Sequence, residues 1–221
     1  MAEVIIHRPT RQARSVGNIF CIGRNYAAHI AELGNRPEED PIVFLKPTSA
    51  LLHEPSPMVL PTFSNDVHYE TELVLLIGKG GKNIEELDAW GHIEAYGLGL
   101  DLTARDIQSK CKAGGLPWTP AKGFDGAACV SEFIAASEVK SPELFEFSMH
   151  KNGELKQHGD VRKMLFPIPF IIHYLSTVFT LQAGDLIFTG TPEGVGPLNS
   201  GDELVLTSGD HLRATFKVTA G

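Results

Sequence analysis

Long hydrophobic runs, paired cysteines and a surplus of basic residues are all missing from this sequence. Its longest apolar run, 73–77, is far shorter than the ~18–20 residues that a membrane-spanning helix requires. Residues 1–14 alternate apolar and charged side chains and contain no apolar core typical of a secretion signal. We therefore expect a cytoplasmic protein without a membrane span.

Basic residues are too few for a nucleic-acid-binding surface, because 19 Lys and Arg face 27 Asp and Glu, for a formal net charge of −8. Neutralising phosphates or an anionic membrane requires a basic surface, so we expect neither nucleic acid nor a membrane as a partner. Cys21, Cys111 and Cys129 are odd in number and lack metal-type spacing, which predicts buried, reduced thiols without a catalytic role.

Glycine and proline are spread evenly through the chain, with 22 and 14 copies among 221 residues. This distribution is typical of many short strands joined by turns, and a regular alternation of strands and helices is absent. We therefore predict an α+β fold that is mostly β with short helices, in one domain over residues 1–221. Residues 1–17 would form a short N-terminal extension or a strand.

Local patterns predict the elements that matter for function. The strongest strand pattern spans 68–77, and Asn152-Gly153 between two further strand segments predicts a β-hairpin. A helix is expected over 103–113, with Thr103 as its N-cap and a pair of glycines at its end. A shorter helix is expected over 25–33.

Two glutamates stand out in the predicted strand over 68–77. Glu70 and Glu72 are two positions apart, so their side chains point to the same face, ~6.5–7 Å apart along the backbone. Two carboxylates side by side on a half-buried face are unfavourable unless something neutralises them, and a divalent cation is the simplest neutraliser. The alternative is an exposed strand end with two solvated glutamates.

Asp101 follows a glycine-rich strand and precedes a predicted helix, a position where a carboxylate is often only a helix cap. Together with Glu70 and Glu72 it makes an all-oxygen ligand set, which favours Mg²⁺, Mn²⁺ or Ca²⁺ over zinc. The spacing by itself leaves open whether the three carboxylates converge.

His29 and Glu32 are three residues apart on the predicted helix over 25–33, so they are neighbours on its surface. A carboxylate beside an imidazole raises its basicity and fixes its orientation, as a general base requires. The simpler interpretation is an ordinary surface ion pair.

Other candidate site residues are less distinctive. The helix that follows the aspartate carries Arg105, Gln108 and Lys112 on one face, which could simply face solvent. Because this helix begins next to the possible metal site, Arg105 and Gln108 could instead hold an anionic substrate. Lys122 is an isolated cation between small and apolar neighbours, suited either to stabilising an enolate or to reaching solvent. Thr191 lies in the glycine- and proline-rich segment 189–197, which lacks the features of a phosphate-binding loop. We interpret that segment as a rigid turn, either purely structural or presenting backbone N–H groups and hydroxyls to a ligand.

Six motifs occur in order along most of the chain. They are Gly23-Arg24-Asn25-Tyr26-Ala27-Ala28-His29, Phe44-Leu45-Lys46-Pro47, His68-Tyr69-Glu70-Thr71-Glu72, Leu100-Asp101-Leu102-Thr103-Ala104-Arg105-Asp106, Lys122-Gly123-Phe124 and Thr189-Gly190-Thr191-Pro192-Glu193-Gly194-Val195-Gly196. Together these motifs resemble the fumarylacetoacetate hydrolase family. The likeness is closest to its short, single-domain members, the acylpyruvases, oxaloacetate decarboxylases and fumarylpyruvate hydrolases.

This resemblance implies a β-sandwich roll with a mixed, folded-over sheet, and a homodimer. It implies Mg²⁺ or Mn²⁺ bound by Glu70, Glu72 and Asp101. His29 and Glu32 would be a water-activating dyad, and Lys122 would stabilise an enolate. Contacts to a small 2-oxo acid substrate would come from Arg24, Arg105, Gln108 and Thr191.

The resemblance also implies a reaction. Because both dyad residues are present, we expect first a metal-dependent hydrolase that cleaves a C–C bond in 2,4-dioxo acids such as acylpyruvates or fumarylpyruvate, giving pyruvate and a carboxylic acid. Residues 33–41, charged and bounded by glycine and proline, would form a lid. Alternatives on the same site are an oxaloacetate decarboxylase, an isomerase or decarboxylase of aromatic-catabolism intermediates, and a non-catalytic domain that binds a metal or an oxo acid.

Overall fold

Short strands dominate the regular structure, as the sequence predicts. The computed structural model describes residues 2–32, 34 and 38–221. Its strands are β1 Glu3–Arg8, β2 Gln12–Ser15, β3 Ile19–Gly23, β4 Ile42–Lys46, β5 Leu51–His53, β6 Met58–Leu60, β7 Val67–Tyr69, β8 Thr71–Ile77, β9 Ile93–Asp101, β10 Thr103–Ala104, β11 Ala128–Val130, β12 Phe133–Ala135, β13 Glu146–Lys151, β14 Glu154–Asp160, β15 Leu186–Phe188, β16 Gly196–Pro197, β17 Glu203–Ser208 and β18 Leu212–Ala220. The α-helices are α1 Ala27–Glu32, α2 Arg105–Gly114, α3 Thr119–Lys122 and α4 Ile168–Val178. Short 3₁₀ segments cover Thr48–Ala50, Glu86–His92, Ala136–Glu138, Pro142–Leu144 and Val161–Lys163.

The largest sheet in the described part of the chain runs in the order β2-β1-β12-β9-β8-β15-β3-β4, with β11 and β5 attached beside β9. Parallel pairs, such as β3 with β15, occur together with antiparallel ones, so the sheet is mixed. β8 lies near its centre and is buried along its full length, because residues 73–77 are all apolar. β1 and β2 form one edge, so residues 1–17 contribute two strands to this sheet.

Two smaller sheets accompany it within the described residues, β10-β7-β16 and β14-β13-β17-β18-β6. The hairpin predicted at Asn152-Gly153 joins β13 to β14, and its two turn residues have positive φ angles of 53° and 82°. Positive φ at both positions is the type I′ turn that Asn-Gly favours. The predicted fold class, mostly strands with a few short helices and curled, mixed sheets, is confirmed.

Apolar side chains from the large sheet, from β17 and β18 and from α4 form one buried cluster. Cys21, Cys111 and Cys129 are buried and unpaired, as predicted. No helix in the described residues is long and apolar enough to cross a membrane.

The strand predicted over 68–77 is in fact two strands. β7 pairs in the three-stranded sheet and β8 pairs in the large one, so Glu70 lies where the chain crosses between them. A second crossing lies beside the first, where β9 ends at Asp101 and β10 begins at Thr103. The N–H of Asp101 donates to the carbonyl oxygen of Glu70 over 2.8 Å, which ties the two crossings together. Acidic residues therefore meet at a junction between sheets.

The helix predicted over 103–113 begins two residues later, at Arg105, so the prediction of Thr103 as its N-cap is wrong. Pairing of β10 with β7 keeps Thr103 extended, and its hydroxyl donates to Oε1 of Glu70 over 3.1 Å instead. The predicted helix end is confirmed, because Gly115 adopts the left-handed conformation with φ 62°.

The helix predicted over 25–33 is observed as α1, which ends at Glu32. Leu33 lies outside the described residues, as do residues 35–37 of the predicted lid. The described part of that segment includes Glu38, whose Oε1 lies 2.5 Å from a guanidinium nitrogen of Arg24.

Candidate active site

Three buried carboxylates meet at the junction between the sheets. Glu70, Glu72 and Asp101 are 5%, 1% and 1% exposed, and one oxygen from each lies within 4.8 Å of the other two. β8 and β9 pair with Glu72 opposite Gly99, which sets the two strands side by side. The convergence that the spacing left open is therefore present, and a solvated strand end does not describe it.

Three cations surround these carboxylates. Nζ of Lys122 lies 2.7 Å from both Oε2 of Glu70 and Oδ2 of Asp101. A guanidinium nitrogen of Arg105 lies 2.5 Å from Oε1 of Glu70, and Nζ of Lys46 lies 2.7 Å from Oδ1 of Asp101. Burying three like charges is costly unless they are paired, so these contacts are a condition for the fold.

The compensation is uneven across the cluster. Burial alone raises the pKa of Glu70, but the charges of Lys122 and Arg105 outweigh it and hold that pKa far below its usual range. Burial, followed by the charges of Asp101 and Glu70, raises the pKa of Glu72 well above its usual value. The N–H of Gly190 donates to Oε2 of Glu72 over 2.6 Å and offsets this only in part.

The donor set fits a hard divalent cation. All three acidic side chains offer oxygen, which suits Mg²⁺ or Mn²⁺ better than a thiolate- or imidazole-preferring metal. Oδ1 of Asp101 has Nζ of Lys46 as its partner at 2.7 Å, and a carboxylate oxygen has lone pairs for more than one partner. This oxygen and the Glu72 carboxylate retain capacity for a cation.

The second predicted pair also comes together. Nδ1 of His29 lies 3.4 Å from Oε2 of Glu32, and the imidazole is only 4% exposed. Burial lowers the pKa of His29, while the charge of Glu70 and the hydrogen bond to Glu32 oppose this shift. The net lowering favours a neutral imidazole, which is the form that can accept a proton.

A narrow cavity of ≈ 40 Å³ is lined by Glu70 of the acidic cluster and by His29 of the dyad. Most of the predicted substrate and catalytic positions line it, together with residues that the sequence analysis did not assign; the lining residues are Gly23, Arg24, His29, Phe44, Glu70, Arg105, Gln108, Lys112, Trp118 and Lys122. Four of them are cations, so the cavity suits an anion. Lys112 lies on the helix face that the sequence analysis identified together with Arg105 and Gln108, although no role was assigned to it there.

Two side chains fix the arrangement around this cavity. A guanidinium nitrogen of Arg105 donates to Oε1 of Gln108 over 3.0 Å, which leaves the Gln108 amide nitrogen as a donor. Nζ of Lys122 lies 4.9 Å from the centroid of the Phe44 ring. The Phe44 ring therefore packs beside the same ammonium group that contacts the buried carboxylates.

The glycine-rich segment contributes backbone groups. We call residues 189–194 the 189–194 loop. The N–H of Gly190 holds Glu72, and the N–H of Gly194 donates to both carboxylate oxygens of Glu32 over 3.1 and 3.3 Å. Both glycines have positive φ angles, 101° and 92°, a conformation that other residues rarely adopt. This loop therefore contacts the acidic cluster and the dyad together.

Thr191, the remaining predicted substrate contact, lies in this loop but not among the residues that line the cavity. Its hydroxyl accepts a hydrogen bond from Nε2 of Gln157 over 2.8 Å. Gln157 was missed by the sequence analysis, because nothing in the pattern of β14 predicts which distant loop its amide reaches.

Lys46 was also not assigned as a site residue, although it belongs to one of the quoted motifs. Its side chain is fully buried. Besides the ion pair with Asp101, its Nζ donates hydrogen bonds to the carbonyl oxygens of Leu102 and Lys122. The available signal was a lysine at the end of the apolar strand β4. A lysine at such a position needs a buried anionic partner.

Comparison with known proteins agrees with this architecture. Residues 18–220 match the family described as fumarylacetoacetate (FAA) hydrolase C-terminal, so the chain belongs to the fumarylacetoacetate hydrolase family. It is 43% identical over 201 residues to the mitochondrial oxaloacetate tautomerase of Mus musculus, covering 91% of each chain. It is 45% identical over 184 residues to the mitochondrial oxaloacetate decarboxylase of Dictyostelium discoideum, covering 83% of this chain and 84% of the relative.

A solved structure is similar over the whole chain. The fumarylpyruvate hydrolase of Pseudomonas aeruginosa, in complex with Mn²⁺ and pyruvate, superimposes with a TM-score of 0.93 at 36% identity, covering 100% of this chain and 97% of that one. The family prediction is confirmed, and the buried acidic cluster could hold such an ion here. The homodimer, the single domain and the roles of individual residues stay predictions.

Lys46 allows a direct test of the charge balance. We expect Lys46→Met to lower the free energy of unfolding by about 3 kcal/mol, because it removes one partner of a buried ion pair while Asp101 keeps its contact with Lys122. Urea unfolding measures this, with Lys110→Met, an exposed lysine on α2, as the matched control. Adding Asp101→Asn should recover part of the loss. Equal stability of Lys46→Met and the wild type would contradict this charge balance.

Proposed function

We propose that this protein catalyses the keto–enol tautomerisation of oxaloacetate with a divalent cation held by Glu70, Glu72 and Asp101. The observation that carries the proposal is the meeting, around one small cavity, of the buried imidazole of His29, several cations and Glu70 of the all-oxygen acidic cluster. Relatives named oxaloacetate tautomerase, at 43% identity over most of the chain, support this choice of reaction.

The charges of the site favour a dicarboxylate. The three acidic side chains are balanced by Lys46, Lys122 and Arg105, so the cluster has a formal charge near zero. A divalent cation would add two positive charges, and a 2-oxo dicarboxylate such as oxaloacetate carries two negative ones. Arg24 and Lys112 add further positive charge around the same cavity.

Enolisation requires one proton to leave carbon 3 and one to reach the 2-oxo oxygen. A bound divalent cation would supply Lewis acidity that polarises the 2-oxo group. In its neutral form His29 takes the carbon-bound proton, the C–H electron pair becomes the C–C double bond, and the carbonyl electron pair moves to oxygen. Glu32 orients the imidazole and stabilises its protonated form. The protonated His29 then gives this proton back to the oxygen, directly or through water, which yields the enol and regenerates the neutral imidazole, so no other reactant is consumed.

Lys122 and Arg105 provide the positive charge that this chemistry needs. Both already contact Glu70 at 2.7 and 2.5 Å, on the side of the cluster that faces the cavity lining. Positive groups fixed near a developing enolate lower the barrier without reorganising during the reaction. Gln108, held by Arg105, presents its amide nitrogen as a donor for a substrate carboxylate.

A second candidate is the C–C hydrolase that the sequence analysis placed first. A groove of ≈ 810 Å³ adjoins the cavity and shares Phe44, Trp118 and Lys122 with it. Its apolar side chains, including Val43 and Leu116, could receive the acyl group of an acylpyruvate. His29 would then take a proton from water, hydroxide would attack the distal carbonyl, and the C–C bond would break to a carboxylic acid and the enolate of pyruvate. Similarity to the fumarylpyruvate hydrolase of Pseudomonas aeruginosa supports this candidate.

Decarboxylation of oxaloacetate needs the same enolate stabilisation but no attacking water. The Dictyostelium discoideum relative supports it as an additional activity. A non-catalytic binding domain is less favoured, because His29, Glu32 and Lys122 are all present and share the site.

One assay separates these reactions. With Mg²⁺ or Mn²⁺ present, we expect the protein to accelerate loss of the ultraviolet absorbance of enol-oxaloacetate without releasing pyruvate at a comparable rate. EDTA should abolish the acceleration and added metal should restore it. His29→Ala should lower the rate roughly 10²-fold, because a positioned base contributes at least that much. The exposed His158→Ala is the matched control.

Each other outcome has a defined meaning. Pyruvate release from acylpyruvates, with no effect on enol-oxaloacetate, would replace the tautomerase by the hydrolase. Absence of metal-dependent turnover on oxaloacetate, acylpyruvates and fumarylpyruvate would overturn both.

The pH dependence tests the proposed base. If neutral His29 accepts the proton, kcat/KM falls at acid pH as the imidazole protonates. Burial lowers the pKa of His29 from its ordinary value near 6.5, so we expect this fall to lie below that pH. Glu32 opposes that lowering, so Glu32→Gln should shift the acid limb to still lower pH and reduce the plateau by roughly 10-fold or more. Glu85→Gln, at an exposed glutamate outside the cavity lining, should change neither the acid limb nor the plateau. An acid limb that stays fixed or rises in Glu32→Gln would rule out this pairing.

A further inference from the structure

The 189–194 loop is the link between the two halves of the site. At one end the N–H of Gly190 donates to Glu72, and at the other the N–H of Gly194 donates to Glu32. Metal ligand and dyad carboxylate therefore both depend on where this single loop lies. The first of these bonds is 2.6 Å long, and a carboxylate held by a backbone N–H has a restricted orientation.

Buried side-chain amides hold this loop at its first residue and in its middle. Nδ2 of Asn25, which is fully buried, donates to the carbonyl oxygen of Thr189 over 2.8 Å. Nε2 of Gln157, 1% exposed, donates to the hydroxyl of Thr191 over 2.8 Å and to the carbonyl oxygen of Pro192 over 3.0 Å. Because both amides are buried, losing either one leaves buried loop atoms without their hydrogen-bond partners.

The acceptor side of Gln157 reaches the acidic strand. Its Oε1 accepts from the N–H of Thr71 over 2.9 Å, and Thr71 is the residue between Glu70 and Glu72. One side chain of β14 therefore joins the backbone of β8 to the loop that contacts Glu72 and Glu32. No backbone pairing between β14 and β8 occurs in the described sheets, so this amide makes a connection that the strand ladders do not.

We infer that Gln157 is a positioning residue that fixes the 189–194 loop against β8 and thereby orients both Glu72 for the cation and Glu32 for His29. Gln157 lies outside the cavity lining, and its hydrogen bonds go to residues 71, 191 and 192 rather than to the carboxylates or the imidazole. It acts through the backbone N–H groups of Gly190 and Gly194. The link to the cation rests on the proposed metal site, and the link to the loop does not.

Gln157→Met tests this role, because methionine keeps the length of the side chain but removes every hydrogen bond. We expect amide hydrogen exchange over residues 189–196 to become about tenfold faster, since the loop loses its anchor. We also expect the affinity for Mn²⁺ alone, measured by calorimetric titration well below the melting temperature, to fall roughly tenfold or more.

Ser176→Ala is the matched control for a merely structural loss. Ser176 is fully buried on α4, where its hydroxyl accepts from the N–H of Ile84 over 2.8 Å, away from the site. This variant should lower the melting temperature but leave exchange over 189–196 and Mn²⁺ affinity unchanged. If Gln157→Met does not fold, Gln157→Asn serves instead, because its shorter amide cannot span Thr71 and Thr191 together, and we expect smaller changes in the same direction.

Unchanged exchange over 189–196 in both Gln157 variants would overturn the inference. So would faster exchange with unaltered Mn²⁺ affinity, because orientation of Glu72 would then not depend on the loop. A wild-type protein that binds no Mn²⁺ would refute the proposed metal site, and the exchange rates alone would then decide the role of Gln157.

Discussion

The negative charge of three carboxylates buried together must be balanced by nearby positive charge, and much of the site follows from that constraint. Glu70, Glu72 and Asp101 are almost completely removed from solvent, where unpaired charges would destabilise the fold by several kcal/mol each. Lysine and arginine side chains from β4, α2 and α3 supply the opposite charge. The same concentration of charge in a dry place makes the site suitable for polarising a small anionic substrate.

The fold produces this concentration by two crossings between sheets. Between β7 and β8 the chain passes at Glu70 from the three-stranded sheet into the large one. Between β9 and β10 it returns to the three-stranded sheet next to Asp101. At both crossings the strand side chains change from apolar to acidic while they stay buried. The 189–194 loop then closes the site, because its backbone N–H groups reach the cluster and the dyad together.

Much of the candidate site was predictable because its signals are local. The spacing of Glu70 and Glu72, the i,i+3 pair of His29 and Glu32, and the Asn-Gly hairpin each depend on neighbouring residues only. The family resemblance supplied the remaining assignments, and the fold class agrees with it.

The parts that were missed or wrong depend on contacts between distant segments. The prediction of Thr103 as a cap failed because pairing with β7 overrides a local helix signal. Lys46 is separated from Asp101 by 55 positions, and Gln157 from Thr71 by 86, and no periodicity connects them. Propensity and spacing describe one segment at a time, whereas these partners are set by the order of strands in the sheets.

The proposed chemistry requires that the buried acidic cluster hold one divalent cation. A crystal structure of the protein grown with Mn²⁺, using the anomalous signal of manganese, tests it most directly. We expect a single anomalous peak bonded to one oxygen each of Glu70, Glu72 and Asp101. Well-ordered carboxylates that contact only Lys46, Lys122, Arg105 and the N–H of Gly190, with no peak between them, would contradict this metal site.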